Sequence, residues 1–160
     1  MKAINKVIFV YSGTLAGVLL WIAAIFFAPY LKSQTSEWNR LIYAVFSLIC
    51  HQIPSRCFYV YGYPLAVCAR CLGVYFGFLT GTVFYPFLKG FSKISLPRIK
   101  TFILMSLPIV ADKIGNVFHL WMTPGWLRFI TGLIWGIILP FFFIAGLSDY
   151  FINKMKNSRI

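Results

Sequence analysis

From Val7 to Leu31 the chain reads VIFVYSGTLAGVLLWIAAIFFAPYL, without one charged side chain. As a helix rising about 1.5 Å per residue, such a run is long enough to cross the roughly 30 Å hydrocarbon core of a bilayer. A secretory leader has an apolar core of only about 7–15 residues and ends at small residues. This run is longer and ends in bulky FFAPY, so it is expected to be a retained first span. Three more apolar runs follow, at about 69–88, 101–121 and 126–151. The chain is 60% hydrophobic and 11% charged, where soluble domains carry about 25% charged residues. A 160-residue domain cannot bury that much apolar surface within itself. The expected fold is an all-α membrane protein, with residues 1–160 forming a single integral membrane domain. It has four transmembrane helices, a short re-entrant or interfacial helix at about 38–50, and a small extracytoplasmic flap.

The net charge is +12, from 15 Lys and Arg against Glu37, Asp112 and Asp149. In a soluble protein that excess would suggest nucleic acid. Here the cations flank apolar runs, as they do where they set orientation. No nucleic-acid partner is expected; the partner is the lipid bilayer. The clusters are Lys2 and Lys6, then Lys89, Lys93, Arg98 and Lys100, then Lys154, Lys156 and Arg159. Four crossings put all three on one side, which the positive-inside rule makes cytoplasmic. The expected location is therefore the cell membrane, multi-pass, with both termini cytoplasmic. Residues 32–67 and the turn at Thr123 to Gly125 fall outside.

Ionisable residues inside a span are costly and mark function by default. The third run, TFILMSLPIVADKIGNVFHLW, holds Asp112, Asn116 and His119 at i, i+4 and i+7, on one helix face. Lys113 points elsewhere. Arg128 and Thr131 lie near the start of the fourth run, at a depth where Arg128 can meet Asp112. Gly73, Gly77 and Gly81 in the second run, with Gly132 and Gly136 in the fourth, are small-xxx-small steps that let helices approach closely.

All four cysteines lie in CHQIPSRCFYVYGYPLAVCARC, between Cys50 and Cys71. The middle of this stretch, around Gly62 and Pro64, reads as a short hairpin or extended flap. Cys68 and Cys71 have the Cys-x-x-Cys spacing that lets two thiolates share a tetrahedral ion. Cys50, with His51 or Cys57, supplies the remaining ligands, and zinc suits such a sulfur and nitrogen set. Two other chemistries use the same residues. One is thiol–disulfide exchange of the quinone-coupled type, in which Arg70 between the two thiols favours thiolate. The other is a set of purely structural disulfides, for which four cysteines allow three pairings.

The run Cys50-His51-Gln52, then Arg56 and Phe58, then Cys68-Ala69-Arg70-Cys71 with Gly73 and Tyr75, resembles the signature of a family of small prokaryotic membrane proteins catalogued as a domain of unknown function. Asp112 after Pro108, and Arg128 with Thr131 and Gly132, resemble its later motifs. The resemblance covers about 45–140. The family often has Ser where this chain has Cys57, which demotes Cys57 and favours His51 as fourth ligand. It also often has Gly where this chain has Lys113.

These readings converge on a metalloprotein with zinc held by Cys50, His51, Cys68 and Cys71. Asp112, His119, Arg128 and Arg70 are the candidate catalytic residues: Asp112 or His119 as base, the arginines as holders of an anionic, lipid-like ligand. The alternative from another class is a non-enzymatic binding or transport protein whose outer loop is stapled by metal or disulfide.

Overall fold

The computed structural model describes residues 2–89, 99–118 and 122–157. His119, and Lys93, Arg98 and Arg159 of the cation clusters, lie outside these residues, as does the end of the third apolar run. Five α-helices form, in the order α1 (Lys2–Ser33), α2 (Trp38–Ser47), α3 (Ala69–Lys89), α4 (Ile99–Val117) and α5 (Gly125–Asn157). Between α2 and α3 lie a 3-10 turn, Pro54–Arg56, and two short strands, β1 (Tyr59–Val60) and β2 (Tyr63–Pro64).

α1, α3 and α5 are long and apolar enough to cross a membrane. α4 is 19 residues long and carries Asp112 and Lys113 in its interior rather than near an end; it is not among the three helices apolar enough to cross. α2 is the expected short helix. It buries Phe46, which packs edge-on against Trp21 of α1, with ring centroids 4.9 Å apart.

The centre of the fold is the α3–α5 pair. A side chain at Gly73, Gly77 or Gly81 would overlap the carbonyl oxygens of Phe129, Leu133 and Ile137 respectively. Gly132 and Gly136 meet the Arg70 and Val74 carbonyls in the same way. The anticipated small-residue steps are therefore one backbone-to-backbone seam. Lipid offers no hydrophobic drive between helices, so close packing of this kind supplies the cohesion. The paired numbers rise together, so α3 and α5 run parallel. α4 runs against them: Phe102 meets Phe142, and Trp135 Nε1 donates to Ser106 Oγ at 2.9 Å. α1 is likewise antiparallel to α3, with Phe26 against Phe76 and Tyr11 against Tyr85.

The flap is a hairpin, as its composition implies. Tyr59 pairs with Pro64 and Val60 with Tyr63, antiparallel. Tyr61 (φ +53°) and Gly62 (φ +77°) both take the left-handed region, as a two-residue turn matched to strand twist requires. Gln52, also at positive φ (+49°), clamps the flap to α2. Its side-chain amide donates to the carbonyls of Tyr43 and Ala66, each at 2.8 Å. Leu65, Ala66 and Val67 are thereby buried together with Phe46, Cys50, and Ile25 of α1.

Candidate functional site

Three cysteines meet where the flap joins α3. The Sγ atoms of Cys50, Cys68 and Cys71 all lie within 4.8 Å of one another. Cys50 follows the last turn of α2, where its N–H bonds the Phe46 carbonyl at 2.9 Å, and it is buried. Cys68 immediately precedes α3, and Cys71 sits in its first turn. The i, i+3 spacing at a helix start turns both sulfurs to the same side. The Cys68 N–H donates to Cys50 Sγ at 3.2 Å, joining the two halves of the site through backbone. The Cys68 thiol is held well below its usual range, first by its hydrogen bond with Cys50 and then by that with Cys71.

The other two candidate ligands stand apart. His51 is exposed and is not in the three-sulfur group, although it adjoins Cys50. Neighbouring side chains in extended chain diverge, so burying Cys50 sends His51 outward. The expected four-ligand set is thus a three-sulfur set in the geometry. Cys57 donates to the Ile53 carbonyl at 3.3 Å, also outside the group. Burial, and then the nearby Cys68 and Cys50 sulfurs, push its thiol up to about 11. All four cysteines are free thiols.

Beside the sulfurs lies a polar network. Arg70 pairs with Asp112, and Thr123 Oγ1 donates to the other Asp112 oxygen. Asn116 Nδ2 also bonds Asp112 Oδ1, at 3.1 Å. Arg128 donates from Nε to the Thr123 carbonyl at 2.9 Å and from Nη2 to Asn116 Oδ1 at 2.9 Å. Asp112 and Thr123 are each 6% exposed. The expected contact between Asp112 and Arg128 is therefore corrected: Asp112 takes Arg70, and Arg128 joins the network one step away through Asn116 and Thr123. Packing explains it. Gly132 sits on the Arg70 carbonyl, so both arginines emerge at the same end of the parallel α3–α5 pair and both reach α4.

The network brings together Arg70, Asp112 and Arg128 of the candidate catalytic set; His119 is outside the described residues. Thr123 was not singled out by sequence reasoning. The one available signal was its place in the short turn between two polar-bearing helices. Arg56 was seen only as part of a motif, yet it lines, with Arg70, Lys113, Asn116, Val117 and Arg128, a pocket of about 350 Å³. A second groove, of about 590 Å³ and almost wholly apolar, runs between α1, α3 and α5 and reaches Tyr75, one turn beyond Cys71.

Comparison with known proteins agrees with the motif. Residues 50–142 match the family described as predicted membrane protein DUF2085. An uncharacterized protein of Methanocaldococcus jannaschii is 36% identical over 152 residues, covering 91% of this chain and 97% of that protein. An uncharacterized protein of Methanothermobacter thermautotrophicus is 34% identical over 92 residues, covering 58% of this chain and 81% of the relative. No solved structure matches the chain. The matched segment begins at Cys50 and takes in the three grouped cysteines, the Arg70–Asp112 pair and Arg128; the chain belongs to the DUF2085 family of predicted membrane proteins.

Proposed function

We propose that this protein is a membrane metalloprotein whose centre is Cys50, Cys68 and Cys71, and that it acts on an amphiphile with an anionic group. The observation that carries the reading is the approach of three sulfurs from two chain segments to within 4.8 Å. A sulfur donor set suits zinc. Structural zinc sites use four protein ligands, whereas catalytic ones use three and leave a position for water or substrate. Three thiolates thus favour a working centre over a staple. Bound there, zinc would polarise an oxygen of the substrate or activate water. Arg70 and Arg128 hold the anion. Asp112 is committed to Arg70 and Thr123, so it positions Arg70 and is a poor base. His119 remains the proposed base.

The reading includes one integral membrane domain with four crossings, α4 being the fourth. Parallel α3 and α5 require the chain to return between them, and α4, antiparallel to both, is long enough at about 1.5 Å per residue to do so. The cation clusters then lie in the cytoplasm and the cysteines outside, at the cytoplasmic membrane. Elemental analysis of purified protein tests the centre. One zinc per chain, lost in Cys68→Ser and kept in Cys57→Ser, is the expected result; a metal-free parent protein would overturn it.

One observation favours a second reading, quinone-coupled thiol–disulfide exchange. The apolar groove ends at Tyr75, beside the dithiol. Thiol labelling separates the two: labelling that needs a reductant supports exchange, and labelling that needs a chelator supports metal.

A further inference from the structure

The 350 Å³ pocket carries a charge imbalance that the rest of the fold does not resolve. Arg56, Arg70, Lys113 and Arg128 all line it. The carboxylate at hand, Asp112, has one oxygen on Arg70 and the other on Thr123 and Asn116. Among the described residues, no carboxylate pairs with Arg56, Lys113 or Arg128. Arg56 and Arg70 both lie close enough to Arg128 to repel it. Arg56 and Lys113 are exposed and Arg70 and Arg128 half-buried, so the four cations repel one another at a surface that an anion can reach. Arg56 sits on the 3-10 turn of the flap, so the hairpin architecture does not demand its presence here. Arg70 Nε is buried without a hydrogen-bond partner, while Arg70 Nη2 is held by Asp112. A pocket lined by four cations, one of them with an unspent guanidinium donor, describes a seat for a multiply charged anion.

We infer that this pocket binds a phosphoryl group, as a phosphate monoester or diphosphate, with Arg56 and Lys113 as ligands beside Arg70 and Arg128. Guanidinium forks match phosphate oxygens two at a time. A carboxylate would balance one of three charges; a phosphate monoester carries close to two. The rim of the pocket indicates where the rest of the ligand lies. Val117, which lines the pocket, is exposed and provides an apolar border for hydrocarbon. The inference deepens the functional reading above, since it names the substrate class of the site next to the proposed metal centre.

The test uses the full-length protein in phosphatidylcholine nanodiscs, titrated calorimetrically with dioctanoyl phosphatidic acid, dioctanoyl phosphatidylcholine and inorganic phosphate. Phosphatidic acid should bind at least tenfold tighter than phosphatidylcholine. Arg56→Gln and Lys113→Gln should each weaken it about tenfold, with the melting temperature and zinc content of the parent retained. Inorganic phosphate competing at similar concentration would make the ligand a soluble phosphate. Competition only at hundredfold excess would make it a lipid; both outcomes support a phosphoryl seat. Equal binding of the two lipids, or unchanged affinity in both folded variants, would overturn it. A parent protein without zinc that still shows the charge-dependent binding would sink the metal reading and leave this one standing.

Discussion

Arg70 of α3 pairs with Asp112 of α4, across 42 positions of sequence. The pair closes a network that ties α3, which begins within the Cys-x-x-Cys motif, to α4. Removing one partner leaves a charge unmatched where water is scarce, which costs about 3–5 kcal/mol for fully buried pairs. Arg70 keeps 22% of its side chain exposed, so the loss here should be smaller, roughly 2 kcal/mol. Asp112→Asn and Arg70→Gln should each lower the melting temperature in detergent. Arg70→Met combined with Asp112→Leu should recover part of the loss, and a thermal-denaturation double-mutant cycle reads the coupling directly.

The seam between α3 and α5 predicts a contrast among glycines. At Gly77 a methyl group would overlap the Leu133 carbonyl oxygen, whereas at Gly146 nothing lies within 4 Å. Gly77→Ala should force the helices apart and destabilise by roughly 1–3 kcal/mol, as overpacking does. Gly146→Ala should be neutral or stabilising by up to about 1 kcal/mol, because alanine is the better helix former. Melting temperatures of the two variants, side by side, check this.

Cys57 should behave unlike the other three cysteines. With its thiol pushed up to about 11, little thiolate exists at neutral pH. Its alkylation rate should rise nearly tenfold per pH unit between pH 7 and 9, since the thiolate is the nucleophile. Peptide mass spectrometry after timed iodoacetamide exposure measures that slope; a rate independent of pH would contradict the assignment.

Gln52 holds the flap that carries the chain from Cys50 to Cys68, through its bonds to Tyr43 and Ala66. Gln52→Ala removes no ligand. It should nonetheless weaken zinc binding about 10–100-fold, the usual effect of losing a group that orients a metal site. Competition with a chromophoric chelator gives the affinity. Parent-like affinity would mean that the flap needs no such clamp.

Much of this architecture was legible before any coordinates. The apolar runs marked α1, α3 and α5, and the glycine steps marked the faces along which α3 and α5 meet. The residues around Gly62 and Pro64 marked the hairpin. The partner of Asp112 was not legible, because depth alone cannot choose between two arginines at the same level. Only the register of the α3–α5 seam, with Gly132 on the Arg70 carbonyl, brings Arg70 within reach. The grouping of Cys50 with Cys68 and Cys71 followed from spacing. The position of His51 outside that group did not, since it depends on which of two adjacent side chains the α2 terminus buries. Thr123 was hidden for a different reason: a threonine in a short turn carries no pattern until the helices on both sides are placed.

The coordination number at the three sulfurs tests the central claim most directly. Zinc K-edge X-ray absorption on the purified protein reads it from the ligand shell. The account predicts three sulfurs at about 2.3 Å and one lighter oxygen or nitrogen ligand near 2.0–2.1 Å, with the shell unchanged in His51→Ala. A shell of four sulfurs, or a light ligand that disappears in His51→Ala, would contradict a centre open to substrate.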